Sequence, residues 1–388
     1  MTADIVVIGA GLVGSAIAYG LARRNVRVLV IDGGDRDHRA ANANGGLVWL
    51  QGKGLLRNQD RSSHGQQQHN EKPAYQQLTR DSVDSWPDFS AELTDASAID
   101  LQYERKGGLA FCIGEAEFDK RRSDLMRWQA QLGRAESDWE MLDRSALGRL
   151  LPKVQLGAEV VGASLGHRDG HCNPLHLLTA LHVGLVRRGG QLLAGKTVRA
   201  VQTDGREGAT IDIGPERVSA ARVVIAAGLG SKALAAQVGL DIPIRPQRGQ
   251  MLVTERLEPF LPLPLHSVRQ TREGTVMIGS TYEEVGFDTS ITCDAAASLS
   301  AKAIRQLPAL SDANLIRQWA GLRVMTPDGH PIYAQSQSHP GVFIALCHSG
   351  VTLAAVHADL LASSISAGQL PPSFEVFHPR RFNVSKAA

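Results

Sequence analysis

The chain has 388 residues, of which 43% are hydrophobic and 21% charged, and a formal net charge of +2. At roughly 100–200 residues per domain this suggests two domains, with length enough for a large buried core. The near-neutral balance gives no electrostatic case for nucleic acid or an anionic membrane as partner, and no window approaches the roughly 18 uninterrupted apolar residues of a membrane span.

The first strand starts at Asp4, which leaves no room for a signal peptide and leads us to expect a cytoplasmic protein, with any membrane association peripheral and through partners. Ile5-Val6-Val7-Ile8 is a continuous β-branched run, as suits a strand buried on both faces of a parallel sheet. Gly9-Ala10-Gly11-Leu12-Val13-Gly14 follows as G-x-G-x-x-G, then a helical pattern from Ser15 to about Arg24 and a strand from Arg27 to Ile31 that ends at Asp32-Gly33. In such a unit Gly9 permits the turn, Gly11 lets backbone amides approach a pyrophosphate, and Gly14 lets helix and strand pack closely. The helix N-terminus offers unpaired donors to that anion. Asp32 lies 21 residues after Gly11, where a carboxylate accepts both ribose hydroxyls.

Alternation from Glu104 to Ile113 and a helical stretch from Glu115 to Leu132 come next. Asn173-Pro174 caps a helix running to Arg188, since Asn is a good N-cap and Pro fits the first turn. Lys196 to Thr203 reads as a strand, with the Val198 backbone placed to meet an adenine. Ala221 to Ala227 is another buried strand, closed by the turn Gly228-Leu229-Gly230. Short strands at Gln250–Thr254, His266–Gln270 and Thr275–Gly279 have the spacing of a second, hairpin-rich sheet, followed by a helix around Ala295 to Gln306. Gly341 to Leu346 is a strand, and Val351 to Ile365 is helical, so that amides of Gly350, Val351 and Thr352 would face the site. The cysteines (Cys112, Cys172, Cys293 and Cys347) are widely spaced with no C-x-x-C, and the 13 histidines form no H-E-x-x-H; we expect reduced thiols and no metal.

Several strings carry a resemblance. The G-A-G-L-V-G opening, D-G-x-C-N-P-x-x-L at Asp169–Leu177, A-A-G-L-G-S, R-P-Q-R-G-Q at Arg245–Gln250 and W-A-G-L-R at Trp319–Arg323 resemble the D-amino-acid oxidase/glycine oxidase superfamily of flavoproteins. Four longer strings are similar to the B subunits of bacterial opine (octopine/nopaline) oxidases: G-L-V-W-L-Q-G-K-G from Gly46, H-S-V-R-Q-T from His266, R-V-M-T-P-D-G-H-P-I from Arg323 and C-H-S-G-V-T-L-A-A from Cys347. Relatives of those subunits include D-hydroxyproline dehydrogenase and hydrogen cyanide synthase subunits.

The resemblance implies an α/β fold: a glutathione-reductase-like, Rossmann-type FAD-binding domain from residues 1–95, 150–238 and 320–388, and an α+β substrate domain with a mostly antiparallel sheet from 96–149 and 239–319. It implies non-covalent FAD, because covalent relatives carry a cysteine shortly before T-P-D and Gly321–Met325 has none. Departures are the absence of glycine oxidase's arginine from the His348-Ser349-Gly350 turn, and a hydrophilic stretch from Arg57 to Lys72 that looks inserted.

The implied reaction is dehydrogenation of the C–N bond of an amino acid or opine, with hydride passing to flavin N5 and the imine hydrolysed to an oxo acid and an amine. Partner subunits of a dehydrogenase complex are implied too. The alternatives are a D-amino-acid, D-hydroxyproline or glycine oxidase or dehydrogenase, and a non-catalytic electron-relay subunit. Arg323 matches the carboxylate-binding arginine of glycine oxidase, and a guanidinium fork suits a carboxylate. His348 precedes the helix facing the flavin and titrates near neutrality. The turn Asn44-Gly45-Gly46-Leu47 would contact the flavin, Ala227 and Gly228 would close over the dinucleotide, and Gln51 and Lys53 would line the substrate side. His266 and Arg269 would contact a second carboxylate or a guanidine arm of a bulky opine.

Overall fold

Alternate residues of the first strand enter different cores. Ile5 and Val7 pack with Ile17, Ala18 and Leu21 of the following helix, while Val6 and Ile8 pack with Val223, Ile225 and Leu234 on the opposite face. That two-sided burial is why the run is apolar throughout. The protein, described from a computed structural model over residues 1–34, 40–53, 68–133, 137–203 and 208–382, is built around this strand.

Thr2–Ile8 lies between Val28–Asp32 and Arg217–Ile225, parallel to both. Gln191–Ala194 extends the sheet beyond Val28–Asp32, and Val342–Leu346 extends it beyond Arg217–Ile225, again in parallel. Ile332–Gln335 closes one edge antiparallel. The helix after the glycine turn is Leu12–Ala22, three residues earlier at its start than the pattern indicates, because Gly14 sits in its first turn and masks it.

A second sheet has four antiparallel strands in the order Val268–Gln270, Thr275–Gly279, Arg245–Arg256, Leu315–Met325. Beside it Val160–Gly166 pairs with Gly108–Ile113 on one side and Trp139–Asp143 on the other. One apolar core joins the two through Leu109, Leu165, Leu252, Leu265 and Ile278. Two segments that the sequence places with the FAD-binding domain, Val160–Gly166 and residues 320–325, thus have their strand pairing elsewhere. Val160–Gly166 is the centre of the three-stranded sheet, and Leu315–Met325, which crosses the expected boundary at residue 320, is ladder-bonded along its length to Arg245–Arg256.

The strands expected at Gln250–Thr254 and His266–Gln270 run over Arg245–Arg256 and Val268–Gln270, and two further elements differ more. Lys196–Thr203 is a strand only over Ala200–Gln202, because Gly195 turns the chain at φ 73° and Lys196 N–H donates to the Asp32 carbonyl, carrying Thr197 and Val198 across the end of the sheet. The last helix starts at Ala354, not Val351, and contains a π turn at His357–Leu361. Ser82 explains the late start: its hydroxyl donates to the Thr352 carbonyl and accepts from Val356 N–H, so a side chain replaces the first i→i−4 bond. The helices Glu115–Leu132, Pro174–Arg187 and Cys293–Gln306 lie where the sequence indicates, and Asn173 accepts from the amides of Leu175 and His176 as a cap should. Of the hydrophilic stretch, residues 57–67 lie outside the described residues; Gln68–Ser97 is one helix. Among the described residues no helix is long and apolar enough to cross a membrane, and no cluster of His, Cys, Asp or Glu has the makings of a metal site.

Candidate active site

The floor of the site is made mostly of backbone. Gly9 has φ 108°, and a Cβ there would lie 2.4 Å from the Ala226 carbonyl oxygen. A Cβ on Gly14 would lie 2.0 Å from the Gly9 carbonyl oxygen, so strand, turn and helix meet at backbone distance. A Cβ on Gly11 would meet nothing within 4 Å, because Gly11 borders a cavity at the N-terminus of Leu12–Ala22, where no side chain caps the helix. The open amides and the helix dipole there suit an anion. Asp32 is fixed from both sides: Ala10 N–H donates to Oδ2 at 2.7 Å and Gly34 N–H to Oδ1 at 2.8 Å.

The cavity has a volume of about 820 Å³, within the ordinary range of a cofactor site. Asp32, Gly33, Thr197 and Val198 line one end, Gly9, Gly11, Val13, Ala227 and Gly228 border it, and Gly45, Met251, Arg323, His348, Gly350 and Val351 line the rest. These residues fit a dinucleotide cofactor laid across the glycine turn. Cys347 also lines it, and burial pushes its thiol up to about 12, which keeps it protonated at neutral pH.

The roof is one face of the four-stranded sheet. Register puts Arg323 opposite Gln247, Gly321 opposite Gly249, and Trp319 opposite Met251; Met251 faces Gly279, and Met277 faces Arg269. Because side chains alternate along a strand, Arg323, Trp319, Met251, Met277 and Arg269 share a face. Two of them pin the floor: Trp319 Nε1 donates to the Ala43 carbonyl at 3.2 Å and Arg269 Nε to the Gly45 carbonyl at 2.9 Å. Asn44 completes that turn, accepting from Gly46 N–H and donating to the Ala41 carbonyl.

Arg323 donates to Ser280 Oγ and to the Thr281 carbonyl, and its guanidinium carbon lies 4.4 Å from the Tyr282 ring centroid. A Cβ on Gly249 would lie 2.5 Å from its guanidinium. Glycine inside a strand often marks such a close approach, so Gly249 is a sequence signal for the Arg323 seat that the family strings alone did not bring out. Tyr282, Ser280 and Met251 were missed because nothing local marks them.

A second cavity of about 240 Å³ adjoins the first and shares Asn44, Gly45, Met251, Arg323, His348 and Val351 with it. Lys53, His266, Arg269, Gly46, Leu47 and Thr352 line it as well. Lys53 Nζ donates to Ser349 Oγ at 2.9 Å, and the same hydroxyl meets Tyr75 OH at 2.9 Å and His348 Nε2 at 3.3 Å. Ser349 is thus a hub that the sequence did not single out. Thr352 Oγ1 accepts from Trp49 N–H and donates to the Leu47 carbonyl, tying the C-terminal turn to the floor.

Three sequence-proposed residues line neither cavity. Ala10 acts through Asp32, and Gly14 through packing. Gln51 is buried and points away: its Oε1 accepts from Arg121 and Ser164, and its Nε2 donates to the Gly108 carbonyl. It bridges the floor to the three-stranded sheet instead of meeting substrate. Next to it, buried Asp169 accepts from the amides of Leu50 and Gln51 through Oδ1; desolvation outweighs those bonds and raises its carboxyl to about 7.

A model of the DAO family, described as FAD dependent oxidoreductase, matches residues 4–364. The chain is 40% identical over 386 residues to the B subunit of the opine oxidase of Agrobacterium tumefaciens, covering 99% of each. It is 32% identical to hydrogen cyanide synthase subunit HcnC of Pseudomonas aeruginosa, covering 85% of this chain and 84% of that one. In fold it is similar to glycine oxidase from Geobacillus kaustophilus, with a TM-score of 0.82, 22% identity and 96% of both chains covered.

Proposed function

The chain belongs to the DAO family of FAD-dependent oxidoreductases, and from that premise we propose that it dehydrogenates the C–N bond of an amino acid or opine, as catalytic subunit of a heteromeric dehydrogenase, a reading supported by two relatives whose names call them subunits. The observation that carries this reading is the position of Arg323, in the wall shared by the cofactor-sized cavity and the smaller one beside it.

Bound non-covalently across the glycine turn, FAD supplies the hydride-accepting ring; the chain's residues do the rest. Arg323 binds the substrate carboxylate and fixes the α-carbon at the junction of the two cavities. Tyr282 and the Ser280–Thr281 segment hold the guanidinium in that attitude before substrate arrives. Met251 and Val351 keep the junction apolar and exclude water from it. Lys53, Ser349 and His348 form a polar wall that faces the amine. The imine product then takes up water and falls to an oxo acid and an amine.

The test is anaerobic. The purified protein, with and without the products of its neighbouring genes, is mixed with opines, D-amino acids, hydroxyproline and glycine, then with an artificial electron acceptor. Bleaching of a flavin band by one of these classes supports the reading, and copurification identifies the partner. A protein with no flavin band that takes up no added FAD, or a flavin that none of these amines bleaches, overturns it.

A further inference from the structure

Three groups converge on the Ser349 hydroxyl, which is buried in the wall of the smaller cavity. Lys53 Nζ donates to its Oγ at 2.9 Å, Tyr75 OH lies 2.9 Å away and His348 Nε2 3.3 Å away. A serine hydroxyl has one hydrogen to give and two lone pairs to receive with. Three partners therefore fill it, and the direction of each bond follows from the other two.

Lys53, as an ammonium, can only donate. Tyr75 is 2% exposed, and burial pushes its phenol above the ordinary range, so it keeps its proton. Among the described residues the hydrogen-bond partner of its hydroxyl is Ser349. Were Ser349 to donate to Tyr75, the phenol proton would be left buried without an acceptor, which is the costly arrangement. Tyr75 therefore donates too, and both lone pairs of Ser349 are taken. The serine's own hydrogen goes to His348 Nε2. A ring nitrogen that receives a hydrogen bond carries no proton, so the imidazole is neutral and its proton sits on Nδ1. An imidazolium would bring a third donor to an oxygen with two lone pairs. The other groups around the ring do not favour its charged form. Lys53, Arg269, Lys302, Arg323 and His266 line the same cavity, no Asp or Glu does among the described residues, and the neighbouring Cys347 thiol stays protonated.

We infer that Ser349 is a positioning residue: it holds His348 as the neutral Nδ1–H tautomer, so that His348 meets the substrate as a hydrogen-bond donor and does not take the amine proton. What His348 faces rests on the amine-oxidising function proposed above; the tautomer does not.

Nitrogen NMR of the FAD-loaded protein carrying 15N-labelled histidine reads the tautomer, with His348 assigned from the signals lost in His348→Gln. At pH 7 the wild type should show a protonated Nδ1 and a bare Nε2. In Ser349→Ala the donor to Nε2 is gone, and the proton should move to Nε2. Ser349→Thr keeps the hydroxyl and should restore Nδ1–H. The pH profile of flavin reduction adds a readout that lost packing alone would not move: Ser349→Ala should gain a limb near the ordinary histidine value of about 6.5 that wild type and Ser349→Thr lack. A protonated Nε2 in the wild type, a ring unchanged in Ser349→Ala, or a wild-type limb that His348→Gln abolishes overturns the inference. If Ser349→Ala does not fold, the wild-type spectrum decides alone. If the tautomer is Nδ1–H but no amine bleaches the flavin, the positioning stands and the proposed reaction fails.

Discussion

The floor and the roof of the cavity recognise ligand by different means. The floor uses backbone: three glycines, the amides of a helix N-terminus and one carboxylate held by two N–H groups. In the proposed function the roof would use side chains, above all Arg323, which strand register sets on one face with Met251 and Arg269. Backbone recognition tolerates no added atom, whereas side-chain recognition can be altered while the cofactor stays bound. The same difference separates what is legible in the sequence from what is not. Gly9 to Asp32 spans one local unit whose spacing states its own chemistry. Arg323, Met251 and Arg269 share a face only through pairings between separate strands, so the role proposed for Arg323 came from resemblance, and Ser280 and Tyr282 did not come at all. Gln51 shows the limit most clearly: it follows a cavity-lining turn, but its direction is set by Ser164 and Arg121, far along the chain.

The largest effect is expected where an atom is added to the floor. Gly14→Val places carbon against the Gly9 carbonyl oxygen, so the protein should lose its FAD or fail to accumulate; an unchanged ratio of flavin to protein absorbance would break the contrast. Next is Gly249→Ala in the roof, where the new methyl displaces the Arg323 guanidinium. FAD should remain and KM should rise about 10- to 100-fold, as a displacement of about an ångström can cause; a loss of FAD equal to that of Gly14→Val would erase the distinction.

Asp169, at the junction of the floor and the three-stranded sheet, makes a smaller prediction in pH. Its folded-state carboxyl is raised to about 7 from an ordinary 3.8. The folded protein therefore keeps a proton that the unfolded chain releases, and that contribution to stability is lost as pH rises between those values. Asp169→Asn keeps the Oδ1 acceptor without the titration. Its Tm relative to wild type should climb from pH 5 to pH 8; a constant difference would mean that Asp169 does not titrate in this window. Cys347→Ser should change least. Denaturation should strip all flavin from both wild type and variant, and fluorescence left on wild-type polypeptide but absent from Cys347→Ser would reveal a covalent bond.

The central claim, that floor and roof close on one cofactor and one carboxylate, is tested most directly by anaerobic stopped-flow reduction of wild type and Arg323→Ala with the best substrate found. The flavin content should be equal, and the half-saturating substrate concentration should rise about 100-fold or more in the variant, the scale of a lost bidentate ion pair. An unchanged half-saturation with FAD in place would contradict the account.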